Sequence, residues 1–88
     1  MKVEFLHRFN KDLEKLEINH VRNAALKAIR MVEKAKHISE IPNSKKLTGH
    51  QSAYRIKIGD YRIGLFIKGS VAEFARIKHR KDIYNIFP

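Results

Sequence analysis

The chain has 88 residues, 43% of them hydrophobic and 32% charged, which leaves room for one domain with a single core, spanning residues 1–88, and none for a second. Nineteen Lys and Arg against nine Asp and Glu give a formal charge of +10, a field that draws phosphate backbones or acidic proteins. Cysteine is absent, which excludes disulfide frameworks, thiolate nucleophiles and Cys-zinc sites and fits a cytoplasmic setting.

The charge is unevenly placed. Residues 1–44 hold nine Lys/Arg and six Asp/Glu, whereas residues 45–88 hold ten and three, so the second half is the electropositive one. The longest apolar run, Ile63 to Ile67, is too short to span a membrane, and Met1-Lys2-Val3 leads straight into patterned sequence rather than a signal peptide.

Lys2 to Phe5 alternates polar and apolar residues, which predicts a short first strand. From His7 the period changes: Phe9, Leu13 and Leu16 recur at i, i+4, i+7, giving an amphipathic helix with Lys11, Asp12, Glu14 and Lys15 facing solvent and an end near Glu17-Ile18. Asn19 reads as the N-cap of a second helix whose inward stripe is Val21, Ala25, Ala28, Val32 and Ala35, running out at Lys36-His37. So short a connection makes the two an antiparallel helical hairpin. Ile38 to Thr48 reads as a loop broken at Pro42-Asn43-Ser44, with Lys45 and Lys46 exposed at its end.

Residues 54–66 form the centre of the reading. Gly59-Asp60 suits a two-residue type II′ turn, which pairs Ile58 with Tyr61, Ile56 with Ile63 and Tyr54 with Leu65 and sends all six to the core face. The opposite face carries Arg55, Lys57 and Arg62, with Lys57 directly across from Arg62 and Arg55 across from Gly64. Like charges placed opposite one another cost roughly 0.2–1 kcal/mol, so a chain selected for stability alone has no reason to keep them. Three cations beside a glycine point to an anion site.

Lys68-Gly69-Ser70 turns the chain into a last strand, Val71 to His79. A three-residue loop puts Val71, Ala75 and Ile77 on the core face and Phe74, Arg76 and Lys78 on the basic face; a two-residue loop reverses this and would bury Arg76 and Lys78, so the first register is expected. The tail from Arg80 makes one or two helical turns anchored by Ile83, Ile86 and Phe87, with Arg80 and Tyr84 at i, i+4 on one side.

No two of the five histidines stand at the spacing of a helical metal motif, and there is neither a Gly-rich phosphate loop nor a Gly-x-Ser-x-Gly elbow. With only Asp60, Glu73 and Asp82 acidic in the second half, carboxylate-pair and metal-dependent hydrolysis are disfavoured, and no cofactor is expected. What remains is a cluster of cations and a phenol on one sheet face. RNA supplies its own nucleophile, the 2′-hydroxyl, so such a cluster can cut it without a metal by taking that proton, holding the charge on phosphorus and protonating the leaving 5′-oxygen.

The order strand, helix, helix, three strands, short tail, with Lys46-Leu47-x-Gly49, the segment Tyr54 to Arg62 and His79-Arg80-Lys81-Asp82-Ile83-Tyr84, resembles the RelE/ParE toxin superfamily of type II toxin–antitoxin systems. The likeness runs over nearly the whole chain, and the hairpin and the His-Arg-x-x-x-Tyr ending resemble the RelE branch of mRNA interferases. The resemblance implies an α+β, RelE-like fold in which the helical hairpin is followed by a three-stranded antiparallel meander and a helical tail. It also implies a metal-independent endoribonuclease acting on mRNA, with or without the ribosome, and a cognate acidic antitoxin that blocks it. On this reading Lys57, Arg62, Arg80 and Tyr84 are the catalytic residues, while Arg55, Lys45, Lys46, Arg76 and Lys78 contact RNA. Arg55 occupies a position often held by lysine and cannot readily give up a proton, which leaves Lys57 as the general base; His79 is a further candidate. The alternatives are a ParE-like inhibitor of DNA gyrase, which shares the fold but generally lacks the full arginine and tyrosine set, and a module that binds RNA or an antitoxin without cutting.

Overall fold

The computed structural model describes residues 1–88. Strand β1 (Lys2–Phe5) is followed by helices α1 (His7–Lys15) and α2 (Asn19–Lys34), a single 3-10 turn (Ile38–Glu40), strands β2 (Ser44–Lys46), β3 (Ala53–Ile58), β4 (Tyr61–Lys68) and β5 (Val71–His79), and helix α3 (Arg80–Ile86). The five strands make one sheet in the order β1-β5-β4-β3-β2, with β1 parallel to β5 and every other pair antiparallel.

Helices α1 and α2 cover one face of this sheet. Phe9, Val21, Ala25, Ala28 and Val32 meet Ile56, Ile63, Leu65 and Phe74 in the main core, each large side chain contributing about 1.5–3 kcal/mol. The expected stripe of α2 is therefore the buried one. Its start differs by one residue from expectation: Ile18 is the cap and Asn19 lies inside the helix, with no side-chain cap bond.

The central hairpin has the expected register. Ile58 pairs with Tyr61, Ile56 with Ile63, Lys57 with Arg62 and Arg55 with Gly64. Gly59 alone of the two turn residues has a positive φ, 62°, as a type II′ turn requires.

Two expectations are corrected. The segment Ser44–Lys46 is a strand rather than loop, paired with β3, so the meander has four antiparallel strands. The turn into β5 has two residues, Lys68 pairing with Val71, and the register then shifts. Leu65 faces Phe74 while Gly64 faces Arg76, leaving Ala75 as a bulge. Before the bulge Ala72 and Phe74 lie in the main core, Glu73 on the other face pairs with Lys68 at 3.3 Å, and Val71 is half-buried; after it Ile77 returns to the core while Arg76 and Lys78 stay out of it. Neither a two- nor a three-residue register holds for the whole strand, because one extra residue inverts the alternation midway.

Asp12 is the third departure. Placed on the solvent face by helical periodicity, it is only 7% exposed. Strand β1 covers only the first half of β5, and Asp12 seals the rest of that edge by accepting the Ile77 N–H at 3.1 Å, leaving fewer backbone groups open to edge pairing. Arg76 donates to the same carboxylate through Nε at 2.8 Å and Nη2 at 3.1 Å, and Lys78 Nζ lies 3.4 Å away.

Candidate active site

The face of the sheet opposite the long helices is divided in two. One part is apolar: Ala53, Ala75, Ile83 and Phe87 form a second small core, with Phe66 against it. This patch seats α3. Ile83 and Phe87 point down onto the strands, Phe87 packing on Phe66 with ring centroids 5.1 Å apart, while Ile86 is 37% exposed and is not an anchor. Gly64, the glycine beside the three cations, leaves room for the Phe87 ring.

The other part is cationic. With α3 held by Ile83 and Phe87, Tyr84 one position on is 63% exposed and lies over Arg55, whose guanidinium carbon is 4.6 Å from the ring centroid. Beside this stack is a shallow pocket of about 340 Å³ lined by Lys45, Arg55, Lys57, Arg62 and Tyr84, with Asn43 and Ser44 at its rim. Lys45 is there because β2 sets it directly opposite Arg55. The edge of the pocket is pinned where Lys57 N–H donates to the carbonyl of Asn43 at 3.0 Å, Asn43 itself taking a positive φ of 66°.

Arg55 is the chemically unusual member. Its Nε and Nη1 are buried and have no hydrogen-bond partner, and buried donors left unmade are costly, more so on a charged group. Arg62 is held at one end of its guanidinium, Nη1 donating to the carbonyls of Gly59 at 2.8 Å and Tyr61 at 2.9 Å. The Arg55 guanidinium, with smaller contributions from Arg62 and Lys45, holds the Tyr84 phenol below its ordinary pKa.

Thus the structure brings together Lys57, Arg62, Tyr84, Arg55 and Lys45. Lys46 pairs with Tyr54, hence alternates to the other face, and borders a neighbouring cavity instead. Arg80 stands at the hairpin turn with Nε 4.0 Å from Asp60 Oδ1, outside the pocket lining. Arg76 and Lys78 are not brought to the site, because both are drawn over the strand edge to Asp12. His79 serves as the cap of α3, its Nδ1 accepting the Lys81 N–H at 3.1 Å, so its role here is structural. Sequence reasoning missed the contribution of Asn43 and Ser44, for which Pro42-Asn43 as a turn was the available signal. No three His, Asp or Glu side chains gather as a metal-ligand set, and no helix is long and apolar enough to cross a membrane.

A family model described as the ParE toxin of type II toxin–antitoxin systems, parDE, matches residues 3–84. The chain belongs to the RelE/ParE toxin superfamily. Toxin RelE3 of Methanocaldococcus jannaschii is 36% identical to this superfamily member, over the full length of both chains. Among solved structures, the RelB–RelE antitoxin–toxin complex from Methanococcus jannaschii matches with a TM-score of 0.82 at 33% identity, over 97% of this chain and 99% of that one. The archaeal RelE–RelB complex from Pyrococcus horikoshii OT3 matches with a TM-score of 0.73 at 24% identity, over 92% and 96%, a likeness of fold. The RelE-like α+β fold and the identity as a type II toxin thus rest on the whole chain rather than on the site alone.

Proposed function

We propose that this toxin is a metal-independent endoribonuclease, an mRNA interferase, whose site is the cationic pocket beside Tyr84. The observation that carries the reading is Arg55: two buried guanidinium N–H groups without partners at the wall of a pocket lined by three further cations. A phosphate oxygen is the ligand such donors suit, and arginine's planar fork matches it.

In this mechanism Lys57 acts as the general base and takes the proton of the 2′-hydroxyl. The 2′-oxygen attacks phosphorus, the bond to the 5′-oxygen breaks, and the products are a 2′,3′-cyclic phosphate and a 5′-hydroxyl. Arg55, Arg62 and Lys45 hold the charge that grows on the non-bridging oxygens. Tyr84, whose depressed pKa makes it a better acid, gives its proton to the departing 5′-oxygen. Arg80 joins when a phosphate displaces its long contact with Asp60. With no convergent His, Asp or Glu set to hold a resident cation, the protein's own side chains carry each step. The net charge of +10 favours a cognate acidic antitoxin as the restraining partner, in keeping with the RelB that accompanies its structural relatives; a toxin that cuts mRNA, with or without the ribosome, acts in the cytoplasm.

The test is single-turnover cleavage of end-labelled RNA, free RNA in EDTA and mRNA on ribosomes in magnesium, because the chelator dissociates ribosomes. Products ending in a 2′,3′-cyclic or 3′-phosphate, and protection by a 2′-deoxy substitution at the cut, are expected. Cleavage of free RNA that vanishes with the chelator, or a 5′-phosphate product in either setting, overturns the mechanism. Inhibition of DNA gyrase without any RNA product would instead favour the ParE-type reading.

A further inference from the structure

A second cavity, of about 270 Å³, lies against the same Arg55–Tyr84 stack and shares Lys45, Arg55 and Tyr84 with the cationic pocket. Apart from Lys46, its remaining lining is of a different kind. Leu47, Phe87 and Pro88 give it an apolar floor, and Thr48 and His50 give it a polar rim.

We propose that this cavity is a nucleobase subsite, receiving the base of the nucleotide next to the scissile phosphate, with Thr48 and His50 determining which bases are preferred. The inference rests on the reading of the chain as an RNA-cleaving toxin and extends it from the phosphate to the sequence around it. Three observations carry it. The two cavities share a wall, so a nucleotide whose phosphate sits on Arg55 and Lys45 has its base beside Tyr84 and the loop. The lining matches the two sides of a base: an apolar, aromatic surface for its faces and hydrogen-bonding groups for its edge. A threonine hydroxyl and an imidazole ring both carry hydrogen-bonding groups, as base edges do. Finally, the loop that bears them is set in place, since Leu47 N–H donates to the Ala53 carbonyl at 2.9 Å and His50 N–H to the Leu47 carbonyl at 3.3 Å. Its reversal at Gly49 has a φ of 82°, which a glycine adopts without strain. The rim is thereby tied to β3, the strand that carries Arg55 and Lys57.

The experiment uses dinucleotides blocked as 2′-O-methyl ethers, so that none can be cut, with each of the four bases or no base on either side of the phosphate. Their affinities are measured from the amide shifts of the isotope-labelled toxin. Removing one particular base should weaken binding roughly tenfold, in the range of stacking on an aromatic side chain, and base-bearing probes should move the amides of Leu47 to His50. The double variant Thr48→Ala, His50→Ala should bring the four bases to within about twofold of one another. Its affinity for the abasic probe should stay at the wild-type value. Equal binding of abasic and base-bearing probes, an unaltered base order in the double variant, or no binding of any probe overturns the subsite. The nuclease reading fails separately: if unblocked RNA is never cut while the base order persists, the subsite stands and the cleavage mechanism does not.

Discussion

A β-carbon added to Gly64 would come within 2.6 Å of the Phe87 ring. The glycine of β4 therefore makes the seat for the residue that holds α3, and α3 in turn presents Tyr84 to Arg55. We expect Gly64→Ala to destabilise the protein by about 1–3 kcal/mol, the usual cost of overpacking, and to lower cleavage by displacing Tyr84. Thermal unfolding of a double-mutant cycle checks the cause. In a Phe87→Ala background the same substitution should cost close to nothing; an undiminished cost there would place the strain elsewhere.

Asp12 links acid stability to the sealed edge of β5. Burial alone would raise its pKa, but the Arg76 hydrogen bond, the Ile77 N–H and the charges of Arg76 and Lys78 together outweigh that and leave it lowered. A carboxyl with a folded pKa below its unfolded one stabilises the fold fully above the unfolded value and loses that contribution as pH falls through the folded one. Stability should thus decline below about pH 4, from the ordinary carboxylate value downward. Asp12→Asn should remove much of that slope and cost about 1.5–3 kcal/mol at neutral pH. Denaturant midpoints across pH 2–7 decide it, and parallel curves for the two proteins would refute the linkage.

Cleavage should separate from binding at Arg62 and Lys57. Arg62→Ala is expected to slow single-turnover cleavage about 10²–10³-fold, as loss of a transition-state donor does, with a much smaller change in RNA affinity. Lys57→Met should be at least as harmful to the rate. If either variant loses affinity and rate in equal proportion from the free enzyme, the residue is a binding contact only.

Tyr84 should set the alkaline limb of the rate. A general acid must be protonated, so the rate falls as pH rises through its pKa, and because Arg55 lowers that pKa the limb should lie below the ordinary tyrosine range. Tyr84→Phe should abolish this limb and reduce the rate, while keeping RNA affinity; Tyr84→Ala should lose affinity as well. A pH–rate profile unchanged by the phenylalanine variant would remove the hydroxyl from the chemistry.

Salt dependence distinguishes residues that face RNA from those that do not. Arg55→Ala and Lys45→Ala should each reduce the slope of log affinity against log salt by roughly one contact. Lys78→Ala, whose ammonium lies against Asp12, should leave the slope nearly unaltered. A loss at Lys78 equal to that at Lys45 would mean that RNA draws it away from the carboxylate.

The hairpin was legible from sequence because a two-residue Gly-Asp turn and strict alternation from Tyr54 to Leu65 leave one register open, and that register sets Arg55, Lys57 and Arg62 on one face. The i, i+4 spacing of Arg80 and Tyr84 was likewise legible, yet their surroundings were not: what α3 rests on is decided by Gly64 and Phe87, which are far apart in sequence. Strand β2 was missed because Ser44-Lys45-Lys46 has no apolar alternation; it is held by backbone bonds at an edge, where charged residues are the norm. Asp12 was misplaced because helical periodicity says which residues could face water, and not that the end of a neighbouring strand has an N–H to offer.

The bulge at Ala75 has a consequence for how this strand can change. Ala72 and Phe74 before it and Ile77 after it fill the interior, and with Ala75 outside the ladder Arg76 and Lys78 keep their outward orientation. Were Ala75 instead drawn into the ladder opposite Gly64, Arg76 and Lys78 would come into phase with Phe74 and point toward the helices, a spatial frameshift confined to the second half. Loss of Ala75 would leave Arg76, Ile77 and Lys78 on their present faces, so what the extra residue adds is its own side chain, a part of the small core that seats α3.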